Sequence, residues 1–307
     1  MNINKEILKT IKYFSFFAYY PTLEEIHTFL QAKINKNSLE KELVRMVKSR
    51  RLTASKYTPP QYSIPTSPRL RGASKYQISK KKLENWKFKT YIKLLSLVPQ
   101  IKLVGLSGSI SMMNAGENDD IDLFVITAKN RLFTGRLITL VLSQLLGLRR
   151  NRDSATQFFI TRESHHFVVP SKVKKIAFAS SAEHRNKVCL NLFFDESNLK
   201  VPKFKQSEFV GHEVLQMKPV IAKNNIYERF LEANEWVFEL FPNAIPVIPA
   251  EAGIQTKITI FSISDKIEQL LKKFQLRLIN KHKTTEIITS TQLWFHPDDF
   301  EKKIKME

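Results

Sequence analysis

The sequence predicts an α+β protein, and three observations lead there. Up to residue 98, apolar residues recur at helical spacing in several short stretches. Between 101 and 127, and again at 187–196, short apolar runs bounded by Pro, Gly or acidic residues read as strands. After Pro202 the helical period returns and continues nearly to the end. Strands confined to the middle, with helices before and after, imply one sheet covered by helices.

The first helix is expected over 4–18, with Ile7, Leu8, Ile11 and Phe14 on one face and Pro21 as the stop. Thr22 followed by Glu25 is a capping box that opens a second helix. Ser38 is a candidate cap for a third, whose stripe is Leu39, Leu43, Met46 and Val47. Two strand-like pieces follow, LTASKYTPP and SKYQIS, with the Pro-rich tract 62–74 as a loop between them. Three short helices and a basic hairpin form a winged-helix-like pattern over 1–79. A helix over 80–98 links it to the next domain.

Residues 100–202 are expected to hold the sheet. IKLVGLSG, DIDLFVIT and KVCLNLFFDE are its strands, and ATQFFITR is a weaker one. RLFTGRLITLVLSQLLGL is a long helix between them. From 203 to 307 the reading is helical: SEFVGHEVLQM, IYERFLEANEWVFELF, SDKIEQLLKKFQLRLINKHK and a last helix behind Pro297. The tract AIPVIPAEAGIQ (244–255) breaks the pattern and reads as a surface insertion. It and the 62–74 tract resemble peptides encoded by palindromic repeat elements found within bacterial genes.

Charge sets the first functional limit. Lys and Arg total 49 against 29 Asp and Glu, a net charge of +20. Residues 1–100 hold 20 basic and 6 acidic residues, so this third carries +14. The third helix and the wing present Lys41, Arg45, Lys48, Arg50, Arg51 and Lys56. Such a face suits a polyanion, and nucleic acid is the expected partner; a protein-contact module is the competing reading. The lone cysteine, Cys189, precludes an internal disulfide and fits a reducing, cytoplasmic setting. The N-terminus lacks an apolar core and cleavage site of the secretory kind. The greasiest stretch, LITLVLSQLLGL, is too short to span a bilayer, so no membrane partner is expected.

The chemistry concentrates at LVGLSGSISMMNAGENDDIDLFVIT (103–127). Side chains alternate along a strand, so Asp120 and Asp122 share one face while Ile121, Leu123 and Val125 take the other. Two carboxylates that close repel unless a cation lies between them, and hard oxygens suit Mg²⁺. The Gly108-Ser109 turn offers backbone N–H groups and a hydroxyl to a phosphate. Together these parts suit metal-assisted phosphoryl or nucleotidyl transfer.

The run from Val104 through Gly108-Ser109 to Asp120-Ile121-Asp122-Leu123 resembles the signature of the polymerase-β-type nucleotidyltransferase superfamily. The order of a winged-helix-like start, this domain and a helical tail with segment His212–Pro219 is also similar to a bacterial group with that arrangement. The resemblance implies a nucleotidyltransferase-fold mixed sheet. Asp120 and Asp122 would hold Mg²⁺, and Gly108 and Ser109 would bind the β/γ-phosphates of a nucleoside triphosphate (NTP). An acceptor oxygen would attack the α-phosphorus and release pyrophosphate. The family's third acid, on a later strand, falls at Asn191, which is neutral. By plain strand alternation Asp195 shares that face but lies roughly 13 Å on. The expectation is a metal-dependent nucleotidyltransferase; the alternative is a nucleic-acid-binding regulator with a weakened or inactive, nucleotide-sensing domain.

Other groups read as structural. His165 and His166 are adjacent and point apart on a strand. Lys129, Arg131 and Arg136 read as a solvated helix start. His212, Glu213 and Lys218 read as a buried or partner-contacting helix, and Asp298 and Asp299 as a helix N-terminus. No Ser-His-Asp elbow, zinc spacing or Walker loop occurs.

Overall fold

A computed structural model describes residues 2–65, 72–149, 186–245, 265–282 and 286–295. ATQFFITR, His165, His166, Asp298, Asp299 and most of the 244–255 tract lie outside the described residues.

The chain opens with α1 (Ile3–Phe16), α2 (Leu23–Phe29) and α3 (Lys36–Lys48). Their apolar stripes close on one another and bury Ile7, Ile11, Ile26, Leu30, Leu39, Leu43 and Met46. α1 stops earlier than expected because Ala18 takes a left-handed conformation, φ 48°. The Thr22–Glu25 capping box forms as the spacing predicts. α3, however, is capped by Asn35, whose side chain accepts from the Ser38 N–H at 2.8 Å, and Ser38 is already helical.

β1 (Thr53–Ala54) and β2 (Tyr62–Ser63) pair antiparallel. The hairpin is therefore shorter than expected, and its second strand comes from the start of the 62–74 tract read as a loop; SKYQIS and the end of that tract belong to α4 (Gly72–Glu84) instead. The inward positions of α4 include Ser79 and Lys82, three residues apart, and both are buried. With polar residues on its inner face, this helix shows no apolar period in the sequence. Asn85 interrupts the run by capping α5 (Trp86–Ser96).

Among the described residues the sheet has six strands. β3 (Ile101–Ser107), β4 (Ile121–Thr127) and β5 (Val188–Asp195) are the expected ones. The other three lie in the region read as helical. β6 (Lys218–Ala222) pairs antiparallel to β3, while β7 (Ile287–Ile288) and β8 (Gln292–Trp294) extend the other side. The order is β6-β3-β4-β5-β8-β7, and β4–β5 is the parallel pair. These late strands are two to five residues long, too short to show a period-2 pattern. β6 tolerates Pro219 because it is an edge strand.

Helices cover both faces. On one, α5 and α7 (Leu132–Leu145) pack Tyr91, Leu95, Phe133 and Leu140 against Ile121, Leu123 and Val125. Across the sheet lie α8 (Glu208–Gln216), α9 (Ile226–Ala233) and α10 (Trp236–Leu240). They pack Val210, Val214, Ile226, Phe230 and Val237 against Phe124 and Ile126. Alternation along β4 thus sorts its residues as predicted. α9 and α10 are separate because buried Asn234 bonds the backbone of Val201, Leu199 and Phe230. α11 (Asp265–His282) supplies Glu268, which accepts from the Phe133 and Thr134 N–H groups and caps α7. Among the described residues, no helix is long and apolar enough to cross a membrane.

Candidate functional site

β4 is an inner strand, and its N-terminal end carries the acids. Asp120 immediately precedes it and Asp122 is its second residue. Both are half-buried. Asp122 stands directly opposite Ser107 of β3 and beside Cys189 of β5. It lies on the sheet face covered by α8 through α10, the face of Phe124 and Ile126.

The Gly-Ser turn folds over this acid. β3 ends at Ser107, and Gly108 enters α6, the single turn Gly108–Ser111. Gly108 has φ +59°, and a Cβ there would sit 2.7 Å from Asp122 Oδ2. Both the backbone conformation and the close approach of the carboxylate require glycine. Ser109 follows on the same turn, half-buried, and its carbonyl accepts from the Asn114 N–H at 2.9 Å. Of the predicted set, the structure thus brings Gly108 against Asp122; Ser109 is the next residue of the turn, and the Asp120 charge is felt at Asp122.

The loop from 112 to 120 is anchored from α4. Lys82 Nζ donates to the carbonyls of Glu117 and Asp119 at 2.9 and 2.7 Å. Ser79 Oγ accepts from the Ala115 N–H at 2.9 Å. Asn114 Nδ2 donates to the Phe17 carbonyl at 3.0 Å and ties the loop to the end of α1. Lys82 sits in the KKK run that opens the expected linking helix, and no local pattern marks it as the loop's anchor.

β5 is the strand expected to hold a third acid, and its register differs from plain alternation. Leu123 aligns with Leu190 and Phe124 with Leu192, so Asn191 is the extra residue of a bulge. The residue beside Asp122 is Cys189, whose thiol hydrogen-bonds its carboxylate. The bulge also reverses the faces beyond it: Phe193 joins the core under α7. Asp195, in step with Phe193, leaves the face of Asp122, which corrects the shared face expected for it. Asp195 instead accepts from the Ser197 and Arg131 N–H groups. Glu196 accepts from the Lys129 N–H and pairs with Arg229.

A further acid arrives from α8. Glu213 Oε2 accepts from Ser107 Oγ at 2.5 Å and from the Gly108 N–H at 3.1 Å. Burial, the Glu213 charge and the Asp120 charge push Asp122 up to about 7, against a smaller opposing effect of the Cys189 hydrogen bond. Glu213 was visible in the sequence as part of HEVLQM, but nothing local pointed it at the turn. Its neighbour His212 is buried as expected. It stacks between Tyr13 and Phe29 at centroid distances of 3.9 and 4.3 Å. Burial, reinforced by Lys9, holds its pKa well below the usual imidazole range.

The basic cations divide by role. Arg131 pairs with Asp265 at 2.7 Å. Arg136 is buried, donates to Gln275 and lies 4.9 Å from the Phe295 ring. Neither is a solvated helix start; tertiary contacts from α11 absorb both. By contrast Lys41, Arg45, Lys48, Arg50, Arg51 and Lys56 are all exposed. Lys41, Arg45 and Lys48 follow i, i+4, i+7 and share one face of α3.

Among the described residues, no group of three or more His, Cys, Asp or Glu side chains forms a ready metal cage. The pair still fits Mg²⁺. Burial is the largest cause of the raised Asp122 pKa, but the Glu213 and Asp120 charges add to it, and a cation would relieve that part; Mg²⁺ commonly takes one or two carboxylates and fills its shell with phosphate and water. Compared with known proteins, the chain matches no family model, no curated protein and no solved structure.

Proposed function

We propose that this chain is a metal-dependent nucleotidyltransferase that moves a nucleoside monophosphate from an NTP to an acceptor. The observation that carries the reading is the Asp122 carboxylate lying against the Gly108 turn, with no room for a Cβ between turn and acid, and the Asp120 charge acting on that carboxylate. That closeness supports joint recognition of a cation and a phosphate.

In this reading Asp120 and Asp122 would hold Mg²⁺, which when bound supplies charge neutralisation for the phosphates. The Gly108 N–H and the Ser107 and Ser109 hydroxyls would orient phosphate oxygens. Lys82 would keep the Asp120 end of the loop fixed by its bonds to the Glu117 and Asp119 carbonyls. The exposed cations of α3 and the hairpin would hold a nucleic-acid partner or acceptor by its phosphates.

One observation favours the second reading, a nucleic-acid-binding regulator whose domain senses nucleotide without turnover. The β5 position beside Asp122 is Cys189, and Asn191 is neutral, so that strand offers no third carboxylate there. Transfer of α-labelled nucleotide in Mg²⁺ separates the two. Label should move to an acceptor with the wild type and fall at least a hundredfold in Asp120→Ala and Asp122→Ala. Mg²⁺-dependent nucleotide binding without transfer supports the regulator; neither binding nor transfer defeats both.

A further inference from the structure

Glu213 sits where the proposed function needs an anion from solution. Its Oε2 takes the Ser107 hydroxyl and the Gly108 N–H, two of the donors assigned above to phosphate. Asp122 Oδ2 faces the same turn, so two carboxylates meet there. Among the described residues, no Lys or Arg forms an ion pair with either. Two carboxylates this close repel when both are charged, so contacts elsewhere must hold Glu213 at the turn.

The restraint comes from the N-terminal helices. α8 is tied to α1 by the Lys9–Glu208 ion pair at 3.0 Å. His212 is clamped between Tyr13 of α1 and Phe29 of α2, with Phe14 and Phe241 edge-on. Gly211 lets α8 approach Leu240 and Phe241, where a Cβ would stand 3.1 Å from each. The residue next to this clamp is Glu213, so its position is set by contacts remote from the turn.

We propose that Glu213 is an internal competitor that occupies the Ser107–Gly108 donors and must withdraw before a triphosphate can use them. The inference rests on the nucleotide reading. It makes the closed arrangement an autoinhibited state, held by the docking of α8 on α1 and α2. The occupant that displaces Glu213 is a Mg²⁺-bound polyphosphate, which carries more charge than one carboxylate and brings a cation to Asp120 and Asp122.

The test is calorimetric titration of the full chain with Mg²⁺–tripolyphosphate and with Mg²⁺–ATP. Wild type, Glu213→Ala and Glu213→Gln are compared. The alanine variant frees both donors and should bind each probe at least tenfold more tightly. The glutamine variant keeps an acceptor but drops the charge, and should fall between; it also serves if the alanine variant does not fold. Equal affinities across the three proteins overturn the competitor role and leave the nucleotide reading standing. Weaker binding in both variants also overturns it, because Glu213 would then belong to the ligand set. Binding of neither probe to any of the three overturns the proposal together with the nucleotide reading.

Discussion

Asp122→Asn should make this protein more stable at alkaline pH. The wild-type carboxyl titrates near 7 in the folded chain against an ordinary 3.8, because burial, Glu213 and Asp120 disfavour its charge. The folded state therefore holds this proton more tightly than the unfolded state does. Below about pH 4 both states are protonated and the site costs nothing. Between 4 and 7 the unfolded chain loses its proton first, and stability falls as pH rises. Above 7 the loss is complete. At about 1.4 kcal/mol per pH unit of displacement, the ceiling is roughly 4 kcal/mol. Relaxation of the half-buried group reduces this, so a gain of about 2 kcal/mol for the variant at pH 8 is expected. Urea denaturation at pH 4, 6 and 8 in a chelator measures it. The two proteins should agree within about 0.5 kcal/mol at pH 4 and separate progressively above it. Mg²⁺ at pH 8 should then stabilise the wild type more than the variant, since binding to the folded state alone raises stability. A variant no more stable than wild type at pH 8, with an unchanged pH slope, would refute the reasoning about charge at this turn.

Gly108→Ala places a methyl 2.7 Å from Asp122 Oδ2 at φ +59°, and should cost about 1–3 kcal/mol by denaturation; adding Asp122→Ala should recover part of that. Lys82→Met removes the bonds to the Glu117 and Asp119 carbonyls. It should cost about 2 kcal/mol, and proteolysis should become faster within 113–119. Reversing Arg45, Lys48 and Arg51 to Glu should weaken duplex binding at least tenfold and flatten its salt dependence; an unchanged salt slope would remove this face from the nucleic-acid interface.

How far the sequence could be read depended on the range of the interactions involved. The helices α1–α3 were legible because each buries a stripe and each carries a short-range cap. Thr22 with Glu25 is recognisable from spacing alone; Asn35 and Ser38 are both plausible caps three residues apart, and spacing does not choose between them. The long strands β3, β4 and β5 announced themselves by apolar runs, whereas β6, β7 and β8 are too short for any period to emerge. SKYQIS looked extended because its helix buries Ser79 and Lys82, whose partners are loop backbone groups over thirty residues away.

The same division runs through the site. Alternation along one strand is a local geometric fact, so the sequence alone determined that Asp120 and Asp122 share a face, with Ile121, Leu123 and Val125 on the other. The Gly-Ser turn before them was equally visible, because φ +59° at Gly108 is a backbone property that residue type reports. Only the tertiary structure decided what meets that face. The bulge at Asn191 set Cys189 beside Asp122 and turned Asp195 away, since one extra residue in one strand reverses every side chain beyond it. The clamp on His212 brought Glu213 to the Gly108 turn from 105 positions away in the chain. Such an approach depends on the packing of α8 against α1 and α2, and no spacing within HEVLQM encodes it.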